Sequence, residues 1–312
     1  MDFVIPAGSA TNLPKELVDK IVEDAIEKSL ILRMVDSRDQ LIEIVNEGTI
    51  PVIGEEDLDK VYRIDNTADI TTLTEMSFDI KSPDLEPVEL GTYIYLKKKQ
   101  VAQYPELKLN QLFRNKISRA IARTADKIAL TGDTTAIGAT NPLTIADGIV
   151  KLANSANAAN SPVEYTTSNS QNILDAVAEA QNDLGVYGSE EDVEDTVLLG
   201  SADFVTAAKK SADKNMVGYD IDDVPALGLK RVVHIHGIPL VRRLQVTGEK
   251  AILANMKGAF AGYYGNIEVD VEHKAGRRAD LLVVTYWFDF VWAYINGSNK
   301  SEGLITIQKA SS

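Results

Sequence analysis

The sequence predicts a mixed α+β fold, and three observations carry that reading. Residues 107–131 place Leu109, Leu112, Phe113, Ile117, Ala120, Ile121, Thr124 and Ile128 in one stripe along a 3.6-residue period, the mark of an amphipathic helix. Within residues 54–91, Met76, Phe78 and Ile80 alternate with Ser77, Asp79 and Lys81, the period-two pattern of a strand with one buried face. The last third breaks into apolar runs at 231–236, 250–253, 267–273, 281–294 and 304–308, which read as strands.

Each element follows from local chemistry. Residues 1–13 are small and polar, and Pro14 suits the first turn of a helix with Leu17, Ile21, Ala25 and Ile26 on one face, so the chain opens with an arm. Between 29 and 54, the runs Ile42-Glu43-Ile44-Val45 and Ile50-Pro51-Val52-Ile53 read as brief strands broken by Gly48 and Gly54. Residues 54–91, rich in acid and threonine, form a long protruding hairpin. A lone two-stranded hairpin is marginal in water, so the face of Met76, Phe78 and Ile80 is expected to rest on a neighbouring subunit.

The helix that follows is unusually long. At 1.5 Å per residue it measures about 37 Å, about twice the mean helix of a globular domain. Arg114, Lys116, Arg119, Arg123, Asp126 and Lys127 fill its polar face, and Gly132 reads as the C′ residue of its closing turn. Residues 139–170, dominated by Asn, Ser, Thr and Ala, read as a surface excursion. A second compact region then begins with a helix presenting Ile173, Val177, Ala180 and Leu184, a strand at 196–199, and a helix capped by Ser201. The run at 281–295, with Trp287, Phe288, Phe290 and Trp292, is too short to span a bilayer and reads as a central strand.

Composition excludes several function classes. A chain of 312 residues with 45% hydrophobic content can bury one large core or two medium ones. Its net charge of −14 argues against a surface that grips phosphate backbones or anionic lipid. Acid is concentrated early: residues 1–224 carry 39 Asp or Glu against 21 Lys or Arg, whereas residues 225–312 carry 7 against 11. The absence of cysteine removes disulfides, thiolate metal sites and cysteine nucleophiles. No apolar run reaches about 18 residues and the start lacks a signal-peptide pattern, so a protein made in the cytosol is expected.

Chemistry-bearing constellations are sparse. His234 and His236, two apart in a predicted strand, would share a face, but His273 is the only other histidine and a zinc site needs three or four ligands. Asp220, Asp222 and Asp223 fail the calcium-loop pattern because Pro225 stands where glycine is required. The acidic stretch Glu190, Glu191, Asp192, Glu194 and Asp195 reads as a solvated loop. There is no phosphate loop, dinucleotide fingerprint, nucleophile elbow or zinc-protease helix. No catalytic, cofactor-binding or metal residue is nominated, and an enzyme is not expected; a two-domain soluble enzyme or ligand-binding protein stays as the alternative from another class.

The order of arm, extended loop, strand and long helix resembles the major capsid proteins of tailed bacteriophages, whose fold is shared with encapsulin nanocompartments. Gly132-Asp133-Thr134, Asn141-Pro142 and Gly148-Ile149 match the turn after that family's spine helix, and Gly237-Ile238-Pro239-Leu240-Val241 matches a later strand. Gly258-Ala259-Phe260, Tyr263-Tyr264 and the basic turn from Lys274 to Arg278 complete the likeness.

The resemblance implies an arm at 1–53, an extended loop at 54–91, a peripheral domain at 92–145 and 262–292 with the spine helix at 107–131, and an axial domain at 146–261 and 293–312. It implies an icosahedral shell of pentamers and hexamers around double-stranded DNA bound without sequence specificity, with a separate scaffolding protein, a portal and no membrane. Met76, Phe78, Ile80, Lys60, Lys81, Arg277 and Arg278 are the candidate intersubunit contacts. An encapsulin-type shell is the alternative within the same fold. No cofactor is implied.

Overall fold

The computed structural model of the chain describes residues 11–12, 15–44, 50–51, 84–97, 106–135, 141–154, 156–166, 172–188, 195–212, 219–224, 229–274, 279–295 and 300–310. Helix α1 (Lys15–Lys28) buries Val18, Ile21 and Ala25. Helix α2 (Leu30–Asp36) follows at once, and Ser29 caps it by accepting the Leu32 amide at 3.0 Å. The sequence predicted only brief strands between residues 29 and 54. Leu30, Ile31, Leu32, Met34 and Val35 are all buried, and a helix buried on nearly every side shows no stripe from which to read its period.

The long helix α3 runs Glu106–Thr131, one residue longer at its start than predicted. Phe113, Ile117, Ile121 and Ile128 are buried as the stripe requires, together with Ala122, Ala125 and Ala129. Gly132 does end it, but not as a left-handed C′ residue, since it is absent from the positive-φ glycines. Its reason is close approach: a Cβ there would lie 2.1 Å from the Ala146 carbonyl oxygen. Gly148 meets the same place from the other side, where a Cβ would stand 2.6 Å from the Gly132 nitrogen.

The first sheet is centred on β14 (Ala279–Trp292), the central strand predicted for the late apolar run. Strand β5 (Val88–Lys97) pairs antiparallel along one edge. Strands β12 (Ala259–Tyr264) and β13 (Glu268–Lys274) lie end to end along the other. Strand β2 (Leu41–Ile44) pairs parallel with β12, and β1 (Thr11–Asn12) antiparallel with β13. The inner face, with Leu282, Val284, Tyr286, Phe288 and Phe290, joins the core that also holds α1, α2 and α3.

The second sheet has the order β6 (Val163–Tyr165), β15 (Leu304–Lys309), β11 (Lys250–Asn255), β7 (Thr196–Gly200), β10 (Ile238–Arg242), β9 (Leu229–Ile235) and β8 (Tyr219–Val224). Helices α5 (Ile173–Asp183) and α6 (Ala202–Ala212) form a core with one face through Val177, Phe204, Leu198 and Leu253, and the Tyr165 and Phe204 rings meet edge to face at 5.6 Å. The other face contributes Val197, Leu199, Ile252 and Leu304 to the first core, which Ile149 of α4 (Ile149–Leu152) also joins. The described part of 139–170, residues 141–154 and 156–166, is therefore not a surface excursion. Ile149, Ala153, Ala158, Val163 and Tyr165 are buried, because small residues here fit a tight crossing rather than solvent. Strands β3 (Ile50–Pro51) and β4 (Asp84–Leu85) pair antiparallel and bracket residues 52–83 in sequence, so the pair is the root of the predicted extended loop.

Candidate functional site

All seven predicted contact residues, Met76, Phe78, Ile80, Lys60, Lys81, Arg277 and Arg278, lie outside the described residues. What the structure describes is the flanking frame. In sequence, Met76, Phe78, Ile80, Lys60 and Lys81 lie between β3 and β4, which pair with each other, and Arg277 and Arg278 lie between β13 and β14.

At the loop root, Leu85 is fully buried against Ile44 and Ala293. Beside it the Asp289 carboxylate, 6% exposed, accepts the Glu86 amide at 2.9 Å and the Phe290 amide at 2.7 Å. Burial pushes this carboxyl up to about 6, although both amides favour its charged form.

A second feature lies on the same face of the first sheet. Along β14, Leu282, Val284, Tyr286 and Phe288 are buried, while Leu281, Val283, Thr285 and Trp287 are only half-buried. Cross-strand register places Tyr93 opposite Val283 and Tyr95 opposite Leu281 on this outer face. Tyr93 is 67% exposed, and its ring meets Tyr95 edge to face at 5.7 Å. Tyr264 adds its ring beside Trp287 at 5.9 Å, and Asp270 lies across from Val283. The sequence analysis nominated none of these residues. The available signal was the alternation Tyr93, Tyr95 in a strand whose partner carries Leu281 and Val283 opposite them on the same face.

The inner side is locked by charge. Arg114 of α3 donates to both oxygens of Asp24 on α1, at 2.6 and 2.7 Å, and this bidentate guanidinium holds the Asp24 carboxyl below the usual range. Asp126 accepts the Ser29 hydroxyl at 2.6 Å and lies 3.5 Å from Arg243, tying α3 to α2 and to the chain after β10. After α3, Lys151 sits 2.6 Å from Asp133 and 2.7 Å from Asp147. Lys151 and the Thr135 hydroxyl and amide hold the Asp133 carboxyl down at about 2.

None of this is catalytic geometry. Strand β9 ends at Ile235, so His236 falls in the following turn at φ 52° and does not share a strand face with His234. His236 Nε2 bonds the Leu174 carbonyl at 3.0 Å and His234 Nδ1 the Val232 carbonyl at 3.1 Å, both structural contacts. Asp195 is not solvated but paired, with Arg38 at 2.7 Å and Lys257 at 3.4 Å. Among the described residues no three His, Asp or Glu side chains gather as metal ligands, and no helix is long and apolar enough to cross a membrane.

Comparison with known proteins accounts for this arrangement. The model of the phage capsid family matches residues 10–188, more than half of the chain. Among solved structures, a satellite phage P4 procapsid that includes the size determination protein superposes with a TM-score of 0.60 at 14% identity, covering 94% of this chain and 99% of that one. A structure from Microbacterium phage Oxtober96 gives 0.56 at 13% identity, covering 99% and 95%. The SrpI encapsulin of Synechococcus elongatus PCC 7942 gives 0.51 at 11% identity, covering 86% and 84%. No curated protein matches the sequence. The chain belongs to the phage capsid family: it is a self-associating structural subunit of the virion capsid, with a mixed helix and sheet capsid fold, and not an enzyme.

Proposed function

We propose that the chain assembles as pentamers and hexamers into an icosahedral shell around double-stranded DNA. The observation that carries this reading is the alternating burial of β14, an apolar strand whose outer face is left half-covered beside the exposed Tyr93 and Tyr95. A face of that kind is what a neighbouring subunit would cover. In this reading residues 92–145 and 262–292 form the peripheral domain, residues 146–261 and 293–312 the axial domain, and residues 1–53 the arm.

The extended loop at 54–91 supplies the strap, with Met76, Phe78 and Ile80 against a neighbour and Lys60, Lys81, Arg277 and Arg278 pairing with acids across subunits. The net charge of −14 supports a wall that encloses DNA without binding it tightly. Assembly takes place in the host cytoplasm, with scaffolding and portal functions supplied by separate proteins. Deleting residues 56–82 is expected to leave a folded but unassembled subunit by electron microscopy, and normal shells from that variant would overturn the proposal. The encapsulin likeness supports a second reading, a shell around a cargo protein, and the contents of purified particles decide between them: DNA for the first, protein for the second.

A further inference from the structure

Asp289 is a carboxylate in an apolar setting. Its strand partner on β12 is Gly262, which brings no side chain, and a Cβ on Gly262 would meet Ile44 Cδ1 at 3.3 Å and Leu85 at 3.5 Å, so the carboxylate faces the same cluster. Val291, Phe260 and Tyr264 complete that cluster on the sheet's outer face. The charged groups described on the surrounding elements are all acidic: Asp84 on β4, Glu86 after it, Glu89 on β5 and Glu43 on β2. Two backbone amides donate to it, and one of them, Glu86 at 2.9 Å, belongs to the loop's return into the sheet.

We propose that Asp289 makes the root of the extended loop a proton-linked hinge, in which ionised Asp289 favours release of residues 84–88 from the sheet and protonated Asp289 favours their seating. The physical reason is solvation. A buried carboxylate regains water only if the segment covering it, Leu85 and Glu86, swings away, whereas the neutral acid gains little from the same opening. The sign follows from linkage. Burial raises the carboxyl of the seated root to about 6, while an opened root restores the ordinary carboxylate value. The seated state is therefore fully favoured at low pH, and that advantage is lost as pH rises through the raised value. The inference concerns this chain's own root and holds whatever the loop touches in a shell.

Hydrogen exchange measured by mass spectrometry on the purified full chain tests it, following peptides that cover residues 84–90 from pH 5 to 7.5 and correcting for intrinsic exchange. The opening equilibrium of the wild type is expected to rise about tenfold across that interval. Asp289→Asn should be flat within about twofold, because it carries no titrating charge. Glu86→Gln, which keeps the amide and removes a neighbouring acid, should shift the midpoint to lower pH. A wild type without the step overturns the hinge, as does a step that survives in Asp289→Asn. Should Asp289→Asn not fold, an unchanged midpoint in Glu86→Gln overturns it equally. Normal shells from the deletion of residues 56–82, with the step intact in the full chain, would instead count against the strap reading alone.

Discussion

The two large sheets use equally apolar central strands and bury them differently. Strand β7, Thr-Val-Leu-Leu-Gly, is buried at every position, with α5 and α6 against one face and the first core against the other. Strand β14 is just as apolar from Leu281 to Trp287, yet only alternate residues there are buried. A continuous apolar run ordinarily means that both faces are covered. Among the described residues β14 keeps one half-open face, and it is this face that the proposed reading sets against a neighbouring subunit. In that reading the second sheet holds the subunit together, and the first sheet's outer face is the part that meets a neighbour.

The largest expected effect tests the covered sheet. Phe204→Ala empties a fully buried site between α6 and the second sheet, and denaturant unfolding of the subunit should show a loss of about 3–5 kcal/mol. Next comes the crossing that joins the two regions. Gly148→Ala places a Cβ 2.6 Å from backbone atoms of Leu130 and Gly132, and should cost about 1–3 kcal/mol in the same measurement, since neither backbone can yield without displacing α3.

A smaller loss is expected from Arg114→Ala, about 1 kcal/mol, because the Asp24 pair is partly solvated although bidentate. That loss carries a pH signature. The Asp24 carboxyl is held low, so its contribution is present above the ordinary carboxylate range and disappears as pH falls through the lowered value. The difference between wild type and Arg114→Ala should therefore be full at neutral pH and shrink in acid. The smallest effect on the subunit belongs to Tyr93→Ser, within about 0.5 kcal/mol, as expected for an exposed position. Its effect should appear in assembly, read as a raised critical concentration by light scattering. A subunit destabilised as much by Tyr93→Ser as by Phe204→Ala would erase the distinction between the two sheets.

Much of the frame was legible because it rests on local periodicity. The stripe of α3, the face of α5, the Ser201 cap and the strand at 304–308 each declare themselves within a dozen residues, and all are present, with Ser201 Oγ accepting the Phe204 amide at 3.1 Å. Elements without a period were missed. Helix α2 is apolar nearly all round, β12 is short and contains Gly262, and α4 with β6 hides in a stretch of Asn, Ser and Ala that composition alone assigns to the surface. The histidine pair was misplaced by one residue, enough to carry His236 off the strand and into a left-handed turn. At the candidate site, Tyr93 and Trp287 were not singled out, because the face they share depends on which strands pair with β14 and in what register.

Residue order by itself determined the class of fold, the long helix, the lack of short catalytic motifs and the likeness to capsid proteins, since each is written in spacing or composition. Only the tertiary structure decided that Asp289 lies buried beneath the loop root, that Gly132 and Gly148 mark a backbone crossing, and that, among the described residues, β7 is buried on both faces while β14 from Leu281 to Trp287 is buried on one. Those three facts depend on what lies opposite a residue in space, and the partners come from positions far apart along the chain: Glu86 for Asp289, Ala146 for Gly132, Tyr93 for Val283.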